Sequence, residues 1–335
     1  MPKSTNQKMK QLFLLKLLWE KSDEEHPVSM GDILHYLESN DIAAERKSIY
    51  NDVQSLIDFG LDINLKKGHN GGYYIGDRGF ELAELKILAD SAQASRFLSD
   101  KKTRNLIGKL SSLCSEDQAR QLRRQNLLSN SGRFAEEGIF YIVDAIHRAI
   151  NDDRIIAFRY FDLDENKQKK YRYGGHHMKT NPVALVWDDE NYYLIAWDSK
   201  YKTVRNYRVD RMDDVIVTEE ERYDKDEIAK IDLKDYTSVN FSMFSGKRRT
   251  VSIVFEKELV GVMVDRFGQD LTVYPAPDGR LAIHPEIAVS SQFFGWLFGL
   301  GGKATVSGPA DVVEELKAQT KVFAERAFGS ECDFS

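Results

Sequence analysis

The run ENYYLIAWD at residues 190–198 and the run RNYRVDR at residues 205–211 decide how the middle of this chain folds. Both are short, rich in aromatic and branched side chains and separated by a polar turn, which is typical of two neighbouring β-strands. Because side chains alternate between the faces of a strand, Tyr192 and Tyr193 must point in opposite directions. The pattern predicts that Tyr192 is a core residue and that Tyr193 is free to stack on a ligand.

More runs of the same kind surround these two. A helical stretch at 139–153 comes first, and the runs that follow are four to eight residues long and separated by Gly, Asp, Asn or Pro. They lie at residues 155–161, 170–175, 181–188, 191–198, 203–210 and 214–221. This spacing is typical of a small, strongly curved antiparallel sheet. Residues 136–225 are therefore predicted to form a five-stranded barrel capped by a helix.

Positive charge is concentrated in this part of the chain. Residues 154–211 contain 12 Lys and Arg against 8 Asp and Glu, an excess of four positive charges. Arginines beside aromatic rings on a sheet can pair guanidinium groups with phosphates while the rings stack on bases. In the alternative interpretation, Tyr193 only packs, and Arg208 and Arg211 pair with neighbouring acids, namely Asp210, Asp213 or Asp214.

Residues 1–78 have the pattern of a winged helix-turn-helix domain. Apolar residues recur at helical spacing in three short stretches, and Ser29 with Asp32 has the spacing of a capping box. Two strand-like runs flank a turn rich in Gly, Asn and Lys at 61–77, which predicts a hairpin. The third helix ends at Gly60, and its predicted buried face consists of Ile49, Val53, Leu56 and Ile57.

The polar face of that third helix and the hairpin tip form a candidate DNA-binding surface. Side chains of the helix would enter the major groove, and the basic tip would meet the phosphate backbone. The predicted residues are Arg46, Lys47, Ser48, Tyr50, Asn51, Gln54, Lys66, Lys67 and His69. Residues 1–78 hold 10 basic and 12 acidic side chains, so the alternative is an ordinary solvated face. The negative balance predicts modest affinity and binding as a dimer.

Two motifs in these segments resemble those of a known family. ERKSIYNDVQSLIDFGLDI at 45–63, followed by GGYYI at 71–75, resembles the winged-helix domain of bacterial transcription regulators of the WYL family. YYL at 192–194, followed by RNYRVDRM at 205–212, resembles the signature of the WYL domain itself, with Tyr192 where the family name has Trp.

The resemblance implies an Sm-like small β-barrel that senses an effector, for which single-stranded nucleic acid or a nucleotide is the favoured class. The predicted effector-binding residues are Tyr160, His176, Tyr193, Arg205, Arg208 and Arg211. A homodimer that binds a double-stranded DNA operator, with no cofactor, is the expected regulator.

Two further segments complete the α+β multidomain organisation. In the connecting segment 79–135, residues 81–125 have a helical pattern throughout, and a loop is predicted from residue 127 to residue 138. The segment is either a connector that sets the distance between DNA-binding domains or a passive spacer. Residues 245–330 alternate strands and helices in a ferredoxin-like order. DRFG at 265–268 and FFGWLFGLG at 293–301 resemble the C-terminal extension of WYL proteins, which implies a role in dimerisation or in shaping the effector pocket.

Several classes of function lack support in the sequence. No phosphate-binding glycine loop, nucleophile elbow or spaced His and Cys ligands occur, so an enzyme is not expected. His176 and His177 are adjacent and have no further ligand at metal spacing, so no metal is expected. A metal-dependent nuclease using Asp162 and Asp164, and an adaptor that binds RNA, stay as alternatives. Two cysteines and the absence of a long apolar run predict a cytoplasmic protein that does not insert in a membrane.

Overall fold

The structure, a computed structural model, describes residues 7–95, 98–124 and 138–328. The chain divides into two compact units, Met1–Glu137 and Gly138–Ser335. Within the described ranges, no helix is both long enough and apolar enough to cross a membrane.

The first part of the first unit is a winged helix-turn-helix domain, as predicted. Its elements are α1 (Lys10–Lys21), α2 (Met30–Glu38), α3 (Arg46–Asp58), β1 (Ile63–Lys66) and β2 (Gly72–Ile75). Ser29 Oγ accepts the N–H of Asp32, and the Asp32 carboxylate accepts the N–H of Ser29, so the predicted capping box begins α2. The three helices and the hairpin enclose a single apolar core that includes Leu14, Ile33, Ile49 and Val53.

One predicted core residue of α3 is not buried. Ile57 is 37% exposed, whereas Ile49, Val53 and Leu56 are buried. Ile57 follows Leu56 by one residue, about 100° around the helix, which carries it past the edge of the stripe that faces the core. The helix then ends where Gly60 adopts a φ of 109°, the left-handed region in which glycine is favoured.

The wing is tied to the helices through the strand-like residue before α2. β1 and β2 pair antiparallel, with Ile63 opposite Ile75, and Val28 exchanges two backbone hydrogen bonds of 2.9 Å with Tyr73. A Cβ atom at Gly72 would lie 2.2 Å from the carbonyl oxygen of Val28. Only glycine allows this approach, so Gly72 fixes the position of the wing.

The connector is helical, as predicted, and has a small core of its own. Its elements are α4 (Leu82–Ala94), α5 (Asp100–Leu110), a 3-10 turn (Ser111–Leu113) and α6 (Glu116–Arg124). Leu85, Ala89, Ile107 and Leu122 are buried together in it.

Polar contacts join this connector to the end of α1. The Asp23 carboxylate, which is buried, accepts the hydroxyl of Ser115, and Trp19 Nε1 donates to the Ser112 carbonyl at 3.2 Å. Arg78, between the wing and α4, donates to the carbonyls of Trp19 and Ser22 at 2.7 and 2.6 Å. Burial lowers the pKa of Arg78 from its usual value. The connector is therefore attached to the winged helix by specific bonds. Residues 127–137 of the predicted loop lie outside the described residues.

Arg78→Leu should weaken the C-terminal end of α1. The free energy of unfolding should fall by about 2 kcal/mol, because the carbonyls that Arg78 caps would lose their charged donors. Hydrogen exchange measured on the full chain should show faster exchange in peptides covering α1. Arg104→Leu, at an exposed position on α5, is the matched control. Equal exchange of α1 in both variants would contradict the assigned role.

The second unit begins with a curled antiparallel sheet capped by a helix, as predicted. Its elements are α7 (Ile139–Asn151), β3 (Arg154–Leu163), β4 (Lys169–Tyr171), β5 (Met178–Asp188), β6 (Asn191–Asp198), β7 (Thr203–Arg208) and β8 (Met212–Glu221). The strand order is β4-β3-β5-β6-β7, and β8 pairs with β3 as well. Irregular register in β3, and in β5 next to Pro182, bends these strands, as bulges do. The short β4 is a sixth strand beyond the five expected.

The rest of the second unit is a ferredoxin-like α+β region, as predicted. Two short helices lead into it, α8 (Lys225–Ala229) and α9 (Leu233–Val239). Its elements are β9 (Lys247–Thr250), β10 (Ser252–Phe255), α10 (Val260–Phe267), β11 (Tyr274–Pro275), β12 (Leu281–Ile283), β13 (Glu286–Val289), α11 (Ser291–Gly299), β14 (Ala304–Gly308) and α12 (Ala310–Phe328). The main sheet has the order β11-β12-β10-β14, and β9 pairs with β13 in a separate ribbon. Phe255, Phe293 and Phe294 fill the core, as expected for the aromatic run of α11.

Candidate DNA-contacting face and effector site

The outer face of α3 carries most of the side chains predicted to read DNA. Arg46, Lys47, Tyr50, Asn51 and Gln54 are all exposed. They lie opposite the buried stripe of α3, which is the orientation that a recognition helix needs to enter a major groove.

Ser48 does not share this face. It is half-buried, and its hydroxyl accepts a hydrogen bond from Lys10 Nζ. The same ammonium pairs with Asp52 at 2.6 Å, so Ser48 and Asp52 hold α3 against α1. In this arrangement Ser48 has a structural contact, and its predicted contact with DNA stays untested.

Two of the three predicted residues of the wing make no hydrogen bond or ion pair with other described residues. Lys67 and His69 are exposed at the hairpin tip. Lys66 is also exposed, but its ammonium donates to the backbone carbonyl of Glu24 at 2.7 Å. Binding of Lys66 to a phosphate would therefore require it to leave this carbonyl.

The candidate effector site is organised around Tyr160 in β3. Its ring packs edge-on against Tyr207 in β7, with ring centroids 5.5 Å apart, and against Phe158 at 6.3 Å. The Tyr160 hydroxyl accepts the backbone N–H of Arg208 at 3.1 Å. Burial raises the pKa of Tyr160, so the phenol stays protonated at neutral pH. Tyr160 thus fixes the end of β7 from which Arg208 projects.

Arg208 is held side-on by a carboxylate. Its Nε and Nη2 donate to the two oxygens of Asp210 at 3.0 and 2.9 Å, and Nη2 also donates to Asn191 Oδ1 at 2.8 Å. The side chain is still 40% exposed. Arg211 lies 3.9 Å from the same carboxylate and 6.0 Å from the ring centroid of Phe161.

Arg172 is a member of this site that the sequence analysis did not select. It follows β4 directly, and its Nε and Nη2 donate to the two oxygens of Asp162 at 2.8 and 2.9 Å. Its guanidinium lies 5.0 Å from the ring centroid of Tyr160. The hydrogen bonds from Arg172 lower the pKa of Asp162. We call Tyr160, Asp162, Arg172, Arg208, Asp210 and Arg211 the arginine cluster.

Three predicted residues lie outside the arginine cluster, namely Arg205, His176 and Tyr193. Arg205 pairs with Asp198 at 2.9 Å and lies over the ring of Tyr201 at 4.7 Å. His176 is exposed just after a turn in which Tyr173, with a φ of 52°, has a left-handed backbone. Left-handed conformations at residues other than glycine are uncommon, and they concentrate near functional sites.

The predicted division of the two tyrosines is wrong. Tyr193 is only 5% exposed and packs with Ile195 and Met243, whereas Tyr192 is half-buried with its ring 4.8 Å from that of Trp187. The reason is that the segment around α9 and Met243 covers the outer face of β6, so both faces of this strand are buried. The exposed ring near the arginine cluster belongs to Tyr173, which is 64% exposed.

The alternative interpretation, in which Arg208 and Arg211 pair with neighbouring acids, agrees in part with the structure. Arg208 and Arg211 approach Asp210, as that alternative expects, although Asp213 and Asp214 instead approach Arg159 at 3.5 and 3.8 Å. Among the residues that the structure describes, no group of three His, Cys, Asp or Glu side chains could hold a metal ion. Asp162, which the nuclease alternative requires, is engaged by Arg172.

Comparison with known proteins identifies two domains. Residues 141–217 match the WYL domain, and residues 247–323 match the WCX domain. The solved structure of proteasome accessory factor B/C (PafBC) of Arthrobacter aurescens is similar at 19% identity and a TM-score of 0.30, over 98% of this chain and 50% of that one. This chain therefore spans about half the length of PafBC.

A CRISPR Cas-related protein is similar at 13% identity and a TM-score of 0.37, over 77% of this chain and 76% of its own. No curated protein matches the chain.

Proposed function

We propose that the chain, in which residues 141–217 match the WYL domain and residues 247–323 match the WCX domain, is a homodimeric transcriptional regulator that binds operator DNA. Its WYL domain would bind a phosphate-containing effector, either single-stranded nucleic acid or a nucleotide, and binding would change its affinity for the operator. The observation that carries this proposal is a winged helix whose third helix keeps its polar face open, in the same chain as a WYL domain.

The DNA-binding half of the proposal rests on α3. Lys47 and Asn51 are one helical turn apart and both exposed, so they can reach one groove together. An Asn side chain can bind adenine with two hydrogen bonds, and a Lys can donate to guanine or to a phosphate. A single winged helix supplies few such contacts, which is why we propose a dimer that binds two half-sites.

The effector half of the proposal rests on the arginine cluster. The side chains of Arg172 and Arg208 are 52% and 40% exposed and both residues contact Tyr160, and the exposed Tyr173 directly follows Arg172 in the chain. Guanidinium groups bind phosphate through charge-assisted hydrogen bonds, and an aromatic ring can stack on a base. Tyr160, Arg208 and Arg211 are therefore the residues of the original prediction that we assign to the effector, together with Arg172.

Selection from a random-sequence duplex library tests the DNA-binding half. The full chain should enrich a pair of half-sites related by two-fold symmetry, because a two-fold symmetric dimer recognises such a sequence. Affinity for the enriched duplex should fall linearly with the logarithm of salt concentration. Recovery of sequences no different from the starting library would contradict the proposed function.

A further inference from the structure

The two ion pairs of the arginine cluster share one geometry. Asp162 binds Arg172, and Asp210 binds Arg208, in both cases through Nε and Nη2 of the guanidinium. A guanidinium has five N–H donors, so side-on pairing leaves Nη1 for another acceptor. Within the described ranges, Nη1 of these two arginines has no hydrogen-bond partner. Each arginine is thus oriented by its carboxylate and still has donors to offer.

The carboxylates also determine the charge that a ligand meets. Arg172 and Asp162 balance each other, while Arg208, Arg211 and Asp210 together carry one excess positive charge. Lys170 stands opposite Asp162 in the pairing of β3 with β4 and adds an exposed ammonium at the edge of this group. The hydrogen bonds from Arg172 keep the pKa of Asp162 low, so this carboxylate is ionised at neutral pH. The two carboxylates therefore cancel two of the three positive charges that the guanidinium groups carry.

We infer that Asp162 and Asp210 lower the net charge of the arginine cluster and thereby reduce the advantage of a doubly charged phosphomonoester over a singly charged phosphodiester. This inference rests on the proposed effector site and assigns its charge selectivity to two residues. A phosphomonoester carries a charge of about −1.5 to −2 at pH 7, and a phosphodiester carries −1. The second charge of a monoester would lie close to two carboxylates whose own charges are fixed in place.

The ratio of the affinities for the two ligands distinguishes two roles of the carboxylates, setting the charge of the site and positioning the arginines. Removing one carboxylate charge changes the binding free energy of a ligand in proportion to the charge of that ligand. A dianion therefore gains about twice as much as a monoanion. If the substitution only loosened the arginines, both ligands would lose affinity together and the ratio of their affinities would not move.

A matched pair of ligands tests this inference on the full chain. Thymidine 5′-monophosphate and its methyl ester have the same base and sugar and differ in carrying a monoester or a diester. Each is used to displace a fluorescently labelled thymidine decamer, from the wild type and from the Asp210→Asn and Asp162→Asn variants. The affinity ratio of the two ligands is measured for each protein, and each variant should shift it toward the monophosphate by about fivefold relative to the wild type.

Asp278→Asn is the control, because Asp278 binds Arg280 in the same side-on geometry outside the site, at 3.1 and 3.0 Å. Its affinity ratio should equal that of the wild type. The first contradicting outcome concerns charge selectivity alone. If the decamer binds but the affinity ratio is the same in wild type and both cluster variants, the charge selectivity is refuted and the proposed effector site is not.

The second contradicting outcome concerns the site. If neither the decamer nor the nucleotides bind the wild type, the proposed effector site itself is refuted. Asp162 and Asp210 lie in separate ion pairs, so either variant alone suffices if the other fails to fold.

Discussion

Lys47→Ala combined with Asn51→Ala should lower the affinity of the full chain for its selected duplex by about 100-fold, since one base contact contributes about 1–3 kcal/mol. Both side chains are exposed on α3 and neither makes a hydrogen bond or ion pair with the described residues of the winged helix, so the fold should be unaffected. Fluorescence anisotropy with the labelled duplex measures the change. Affinity for the thymidine decamer should stay at its wild-type value, because the arginine cluster lies in the other unit.

The control for this double variant is Lys16→Ala combined with Asn105→Ala. It removes the same residue types from exposed positions on α1 and α5. Its affinity for the duplex should remain within about threefold of the wild type, since a distant surface lysine contributes only screened electrostatics. If both double variants lost the same affinity for the duplex, the assignment of α3 as the recognition helix would be wrong.

Arg208→Ala should abolish the response to effector while leaving DNA binding without effector intact. Affinity for the thymidine decamer should fall by about 50-fold, because the variant loses charge-assisted hydrogen bonds and leaves Asp210 without its main partner. Arg280→Ala removes an arginine that is paired with an acid in the same geometry and should leave decamer affinity unchanged. A loss of duplex affinity by Arg208→Ala with no effector present would show that the sensor assignment is wrong.

Local patterns in the sequence were sufficient to predict the architecture. The capping box at Ser29 and Asp32, the stop at Gly60 and the alternation of short strands all depend on neighbouring residues. Interactions of this kind repeat in any protein with the same local sequence, so they can be recognised without knowing the fold. The ferredoxin-like order of the last segment was predictable for the same reason.

Sequence patterns could not predict the contacts that distant segments make with each other. Tyr193 is buried because residues from α9 to Met243 cover β6, and strand alternation carries no information about a segment some 50 residues away. Ser48 faces α1 because Lys10 binds it there. In both cases the side chain faces a partner that only the tertiary fold supplies.

Arg172 was missed for a related reason. Its pairing with Asp162 follows from the register of β3 and β4, in which Phe161 lies opposite Tyr171. Asp162 lies opposite Lys170, so Arg172, two residues further along, is its diagonal neighbour across the two strands. A search for Asp and Arg at diagonal positions about a predicted hairpin could have found this pair, whereas charge counting alone could not.

Coupling between the two halves of the chain is the central claim, and one titration tests it most directly. The affinity of the full wild-type chain for its selected duplex is measured with no decamer and with saturating decamer. Allosteric coupling in proteins is typically 5- to 150-fold, so we expect the duplex affinity to change by about tenfold or more, in either direction. A duplex affinity that is unchanged at saturating decamer would contradict the account.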